Sequence, residues 1–304
     1  MRIFVTGASG FLGQSLCEAL RNRGDEVVGI SSSQCDLTKS SSLHAFKQPF
    51  DLIYHLACWT QAGDFCLKHS AEQWIINQKI NTHVLEWWAE RQPQAKLIAM
   101  GTSCSYDPQL PLSEEYYMAG EPIDSLYTYA MTKRMLLAGC RALHKQYGLN
   151  YLYVVPSTLY GPNYHTDGRQ LHFIFDLIKK IIEGSLYNQP VILWGDGYQK
   201  RELIHIQDFI KILLHLEKES NQIFNIGSGQ EHSIRTFAQI ICDYAGYDAS
   251  KVVYDTSKYV GAKSKVLCID KIKQRNFCPQ ISLEQGLKET IDWFRTTQFV
   301  GSLS

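Results

Sequence analysis

The 304 residues carry 30 Lys and Arg against 30 Asp and Glu, so the formal net charge at pH 7 is zero, and 45% of the residues are hydrophobic. A chain of this size and balance can bury one large core or two modest ones, and it has no global field to attract nucleic acid or an anionic membrane. The nine cysteines form no C-x-x-C pair and no metal-like Cys/His spacing, no basic leader precedes "MRIFVTG", and no apolar run nears ~18 residues; we expect a reduced, cytoplasmic, metal-free protein without a membrane span.

In chain order, the apolar run at 2–7 leads into a helical pattern at 11–24. Further runs follow at 26–31 ("EVVGIS"), 51–57 ("DLIYHLA"), 96–103 ("KLIAMGTS") and 152–158 ("LYVVPST"). Short continuous apolar runs alternating with helices predict an α/β fold, a parallel sheet covered on both faces. Long helices are expected near 71–91 and 128–147, the second stopped by Gly148. The stretch "YGPNYHTDGRQ" at 160–170 reads as a loop. After it come an apolar helix at 171–182, the run "VILWGDGYQKRELIHIQDF", a helix through 208–219, the strand "IFNIGSG" and helices near 233–246 and 282–296. We expect a nucleotide-binding domain over 1–160 that is rejoined at about 203–228. A smaller substrate domain would take about 161–202 and 229–304.

Gly7, Gly10 and Gly13, with Ser9, Phe11 and Leu12 between them, mark the first strand-to-helix turn. Glycines there allow a pyrophosphate to approach the backbone, and free N–H groups at the helix start can bind it. After the second strand stand Ser31, Ser32 and Ser33, where an acidic residue would hold a ribose 2′-hydroxyl. Without that carboxylate a 2′-phosphate is not repelled, although no arginine in the run holds it either. NADP(H) is therefore expected over NAD(H). Asp36 and Leu37 suit an adenine contact, or Asp36 caps a helix.

Tyr129 and Lys133 lie four apart on a predicted helix, hence on one face. An adjacent ammonium would lower the tyrosine pKa and make it an acid or base near neutrality; a solvated helix face would show the same spacing. The segment "MGTSCSYDP" at 100–108 ends a predicted strand with Cys104 among hydroxyls, and a thiol there is either packing or chemistry.

The glycine turn, "HLA" at 55–57, the set Thr102, Tyr129, Lys133 and the later "RELIHIQD" together resemble the extended short-chain dehydrogenase/reductases, the NAD-dependent epimerases and dehydratases. The resemblance runs from Met1 to about Gln298. It implies a Rossmann-type doubly wound parallel sheet with a smaller C-terminal α/β substrate domain, and a nicotinamide cofactor working on a nucleotide sugar. "GTSCSY" at 101–106, "PSTLYGP" at 156–162, Leu171-His172, Trp194 to His205, "SIRTFAQII" and "ISLEQGL" resemble the family's bifunctional epimerase–reductases of nucleotide-linked 4-keto-6-deoxyhexoses.

By that resemblance Thr102, Tyr129 and Lys133 are catalytic, and Cys104 and His172 form the acid/base pair that exchanges protons at the sugar carbons. Leu56, Ala57, Pro156, Thr158, Leu159 and His172 join the cofactor contacts, as do Tyr129 and Lys133. The substrate would meet Thr102, Cys104, Tyr129, Thr158, Lys180, Trp194 and Arg201. His172 could instead be an interior histidine, Arg201 and Glu202 a surface ion pair, and Lys179 and Lys180 a solvated helix end.

The same resemblance implies a homodimer through a four-helix bundle of helices 71–91 and 128–147, with Trp87 and Trp88 either in that contact or in the core. Other readings are a nucleotide-sugar 4-reductase or 4-epimerase alone and, from a different class, a catalytically silent dinucleotide-binding sensor. Three departures leave base and sugar open: Thr158 replaces an asparagine, Tyr259-Val260 replace a proline–aspartate pair, and Trp59 after "HLAC" could narrow the pocket.

Overall fold

The computed structural model describes residues 1–258 and 263–298, so Tyr259 and Val260 lie outside the described residues. The chain runs β1 (Arg2–Thr6), α1 (Phe11–Asn22), β2 (Glu26–Ile30), β3 (Leu52–His55), α2 (Phe65–Lys68), α3 (Ser70–Arg91), β4 (Lys96–Met100), α4 (Tyr127–Tyr147), β5 (Tyr151–Pro156) and β6 (Thr158–Tyr160). It continues through α5 (Phe173–Tyr187), β7 (Val191–Trp194), β8 (Lys200–His205), α6 (Ile206–His215), β9 (Gln222–Ile226), β10 (Glu231–Ser233), α7 (Ile234–Ala245), β11 (Val252–Asp255), α8 (Asp270–Lys273) and α9 (Leu283–Gln298).

Six strands form one parallel sheet in the order β2-β1-β3-β4-β5-β9. The order reverses between β1 and β3, so the carboxyl ends of these strands open a crevice where α/β proteins bind ligands. β3, β4 and β5 are buried almost throughout, which is why each reads as an unbroken apolar run. The predicted strand at 152–158 is broken in two: Ser157 donates its N–H to Ile226 O (2.9 Å), and the chain then leaves the main sheet as β6. β6 pairs with β8, which also carries β10, while β7 and β11 form a separate pair.

Two hydrophobic cores result. The first fills the main sheet and includes Leu213, Phe224, Leu267 and Ile272; the second gathers Tyr160, Phe175, Ile178, Phe237 and Phe294. Trp87 and Trp88 are 3% and 0% exposed, so both belong to the first core. Trp87 packs on Phe4 and Phe50, and Trp88 Nε1 donates to Ala95 O at 2.9 Å.

α3 turns a polar row inward. Gln73, Asn77 and Asn81, at i, i+4 and i+8, are buried and serve the loops beside them. Asn77 bonds both the N–H and the C=O of Trp59, and Asn81 Nδ2 donates to Thr132 O on α4. α4 stops where Gly148 adopts φ 72°. Among the described residues no helix is long and apolar enough to cross a membrane.

Candidate active site

The glycine turn is pressed against the end of β3. Gly7 has φ +69°, and a Cβ there would lie 2.9 Å from Ala57 N; a Cβ on Gly13 would lie 2.1 Å from Gly7 O. No other residue fits either place. Gly10 precedes α1 without a side-chain cap, so the first N–H groups of the helix stay available to an anion. These features fit a dinucleotide pyrophosphate.

Beside the turn, Thr6 Oγ1 accepts from Leu56 N and Ala57 N, both at 3.1 Å, and fixes the end of β3. Ser31 Oγ lies 2.8 Å from Ser33 Oγ and donates to Gln34 Oε1. Asp36 caps no helix: its Oδ1 accepts from Thr38 N and Thr38 Oγ1, and the following 3-10 helix starts from Lys39. Leu37 is buried, and its carbonyl faces His83 Nδ1 at 2.9 Å. At the far side Pro156 ends β5, while Thr158 and Leu159 pair with Leu203 and Ile204 of β8.

Thr102 and Cys104 follow β4, and α4 brings Tyr129 and Lys133 to them. The loop is fastened to α4 by buried groups. Ser105 Oγ donates to Ala130 O (3.1 Å), Arg134 donates to the carbonyls of Ser105, Ala119 and Gly120, and Tyr153 Oη donates to Lys133 O (2.7 Å). Thr102 Oγ1 accepts from Cys104 N at 3.2 Å. A further chain joins β1 to α4: Thr6 Oγ1 to His55 Nδ1, His55 Nε2 to Asn81 Oδ1 (each 3.0 Å), then Asn81 to Thr132 O. Burial holds the His55 imidazole neutral, with its pKa pushed down to about 4.

The charge on Tyr129 differs from the sequence expectation. Burial raises the phenol well above its ordinary range, and the nearby thiols Cys58, Cys104 and Cys66 add to the rise, while Thr102 works against it. The Lys133 ammonium instead faces Cys58 and His55. Tyr129 is therefore a neutral phenol in the free protein.

Cys104 and His172 line one cavity of about 610 Å³ together with Thr158, Lys180, Trp194 and Arg201. His172 is the residue ahead of α5, and its Nδ1 is buried without a protein partner among the described residues. Burial, then Lys265 and Arg201, push its pKa down to about 4. Cys104 goes the other way for a buried thiol. Burial would raise it, but Lys265, Thr102 and Arg201 outweigh that, and the thiol lies below its ordinary value.

Lys180 Nζ pairs with Asp176 at 2.8 Å at the cavity edge, and Trp194 is 59% exposed there. Arg201 and Glu202 do not make the surface pair weighed from sequence. Arg201 faces the cavity, while Glu202 is buried and accepts from Gly229 N (2.7 Å) and Leu267 N (2.8 Å). Trp59 does not narrow the cavity. Its ring packs on Phe65 and His69, and Ala62 and Gly63 bring that loop to the lining.

Sequence reading missed Lys265, whose Nζ lies 3.1 Å from Cys104 Sγ. No local pattern marks it, because the two residues are 161 positions apart and meet only through the tertiary fold.

The model of the NAD dependent epimerase/dehydratase family matches residues 3–227. The GDP-L-fucose synthase of Escherichia coli (strain K12) is 29% identical, over 98% of this chain and 97% of that protein. The GDP-L-fucose synthase of Sinorhizobium fredii is 30% identical, over 96% of this chain and 95% of that protein. Among solved structures, a GDP-L-fucose synthetase from Naegleria fowleri bound to NADP superposes with a TM-score of 0.85 at 24% identity, covering 97% of this chain and 94% of that one.

Proposed function

Because the chain belongs to the NAD dependent epimerase/dehydratase family, we propose that it is an epimerase–reductase of the GDP-L-fucose synthase kind, acting with NADP(H) on a nucleotide-linked 4-keto-6-deoxyhexose. One observation carries this reading: a thiol and an imidazole, Cys104 and His172, line the same cavity, and the loop that carries Cys104 also carries Thr102 and is tied to the helix of Tyr129.

A 4-keto group acidifies the hydrogens on C3 and C5, since the electron pair left behind moves onto O4. Cys104 sulfur takes that proton, and Thr102 and Tyr129 stabilise the enolate oxygen. His172 returns a proton to carbon from the opposite face and so inverts the centre. For that it must first be charged, and in the free protein it is neutral. Lys265 and Arg201, the cations that depress it, border the same cavity, so a diphosphate drawn to them offsets their effect. In the last step C4 accepts a hydride and Tyr129 gives its proton to O4.

The Gly7–Gly13 turn, Ser31, Ser32 and Lys133 would hold the dinucleotide, which supplies that hydride when bound. NADP(H) is supported by the absence of a carboxylate directly after β2 and by the NADP bound to the Naegleria fowleri protein. Arg201 and Lys180 suit the diphosphate, and Trp194 offers a flat apolar plate for the base. Trp74 and Ile75 on α3 and Tyr127 on α4 are exposed, which supports pairing of these helices with those of a second copy in a four-helix bundle. Nine free cysteines suit a reducing cytoplasm.

The test incubates the protein with nucleotide 4-keto-6-deoxyhexoses (GDP, CDP, UDP and dTDP forms) in heavy water without reduced cofactor. Deuterium should enter C3 and C5, and the label should vanish in Cys104→Ser and His172→Gln. If no label enters, and NADPH added in a second incubation reduces the ketone with no solvent label in the product, a reductase alone is left and the epimerase half sinks.

A further inference from the structure

Resting on the proposed function above, we propose that Lys265 is a positioning residue for the epimerisation: it holds Cys104 as a thiolate in the resting protein, so that the sulfur is the base before substrate arrives. The geometry is direct. Lys265 Nζ approaches Cys104 Sγ to 3.1 Å and lines the same cavity. Holding one flexible lysine there costs side-chain entropy, and the segment that carries it is fastened on both sides.

Before Lys265, Lys263 O accepts from Lys200 N (2.8 Å) and Ser264 Oγ donates to Glu231. After it, Leu267 N donates to Glu202 (2.8 Å), Cys268 N donates to Leu112 O (2.9 Å), and Cys268 O accepts from Asn225 Nδ2 (3.0 Å). Glu202 is thus the buried anchor that sets where the lysine stem starts.

The titratable and charged groups around the sulfur are Lys265 itself, Arg201 on β8, His172 ahead of α5, Tyr129 on α4 and Cys66 on α2. Of these the two cations favour the thiolate. Tyr129 and His172 are both neutral in the free protein, and Cys66, raised by burial, stays a thiol. Lys265 is the cation in contact. A thiolate beside an ammonium is the usual route to a reactive cysteine, and it explains why a thiol can do this work in a buried place.

The experiment measures alkylation of Cys104 by iodoacetamide against pH, read peptide by peptide in the full chain, with exposed Cys278 as the internal reference. In Lys265→Met the Cys104 midpoint should rise by about one pH unit, so that its rate falls about tenfold at pH values below both midpoints, the factor that one pKa unit represents. Lys265→Arg, which keeps the charge, should restore most of the rate, and it serves as the second variant should the methionine protein fold poorly. An unchanged Cys104 profile in Lys265→Met, with Cys278 also unchanged, overturns the proposal.

A heavy-water arm separates this idea from the functional reading. A shifted Cys104 profile in a chain that labels no sugar keeps the Lys265–Cys104 pair and overturns the epimerase reading instead. Equal alkylation and equal labelling in both proteins removes Lys265 from the mechanism and keeps the epimerase.

Discussion

The floor of the cavity, where β4 ends and α4 begins, is tied down by buried hydrogen bonds, whereas its rim is carried on exposed segments. Ser103 and Cys104 line the cavity there, and Thr102, Tyr129 and Lys133, outside its lining, sit on the same loop and on the helix joined to it through Ser105, Arg134, Tyr153 and Asn81. Lys180 and Trp194 stand 40% and 59% exposed, each on an element of the second core. In the proposed reaction the groups at the floor move protons and must be placed beforehand. Those at the rim would only recognise. Changes to the floor should therefore act on kcat, and on stability too where a clamp is lost, and changes to the rim on KM.

The sharpest way to break that division is Tyr129→Phe. It should lower ketone reduction by about 10³-fold, within the range for a general acid, with no loss of melting temperature; single-turnover oxidation of NADPH measures it. A fall in binding instead of rate would move Tyr129 from floor to rim.

Arg134→Met tests the clamp. The guanidinium donates to three main-chain carbonyls, and stranding them should cost about 3 kcal/mol in urea unfolding while lowering kcat. A stable, fully active variant would show that the loop holds itself.

His55 gives the floor a pH signature. Its pKa falls from 6.5 to about 4 on folding, so below pH 6.5 the unfolded chain binds a proton that the folded chain refuses. Its contribution is intact above pH 6.5 and lost as the pH falls to about 4, amounting to about 3 kcal/mol. His55→Gln should flatten the stability curve over that window, and an unchanged slope would assign the effect to other groups.

The smallest effect belongs to the rim. Trp194→Ala should raise KM about fivefold, roughly 1 kcal/mol of stacking, and leave kcat alone. Lys180→Ala should do less still, since an exposed pair with Asp176 is worth little.

Much of the floor was legible in the sequence because its signals are local. Glycine spacing reports a turn, a four-residue interval reports a helix face, and unbroken apolar runs report a covered sheet. Meetings between distant segments leave no such trace. Lys265 reaches Cys104 from a stretch with no regular element, and Glu202, next to Arg201, is spent on main-chain N–H groups rather than on a cation. The expectation for Tyr129 failed for a related reason. Spacing places an ammonium on the same face as a phenol, but only the packed neighbours decide that the lysine faces Cys58 and that burial governs the tyrosine. Trp87 and Trp88 were ambiguous because either face of their helix suits an indole; Phe4 and Phe50 decided for Trp87 and the Ala95 carbonyl for Trp88.

Strand β8 sorts charge by parity. Arg201 looks into the cavity, and the very next residue, a carboxylate, looks the other way. Deleting one amino acid just upstream would bring Glu202 to the place of Arg201 and set an anion against the proposed diphosphate, while inserting one would send the guanidinium against two N–H donors for which it has no acceptor. This strand can drift in composition at its outward-facing end, but its frame is fixed, and frameshifted loop variants between β7 and β8 should be far scarcer than substitutions there.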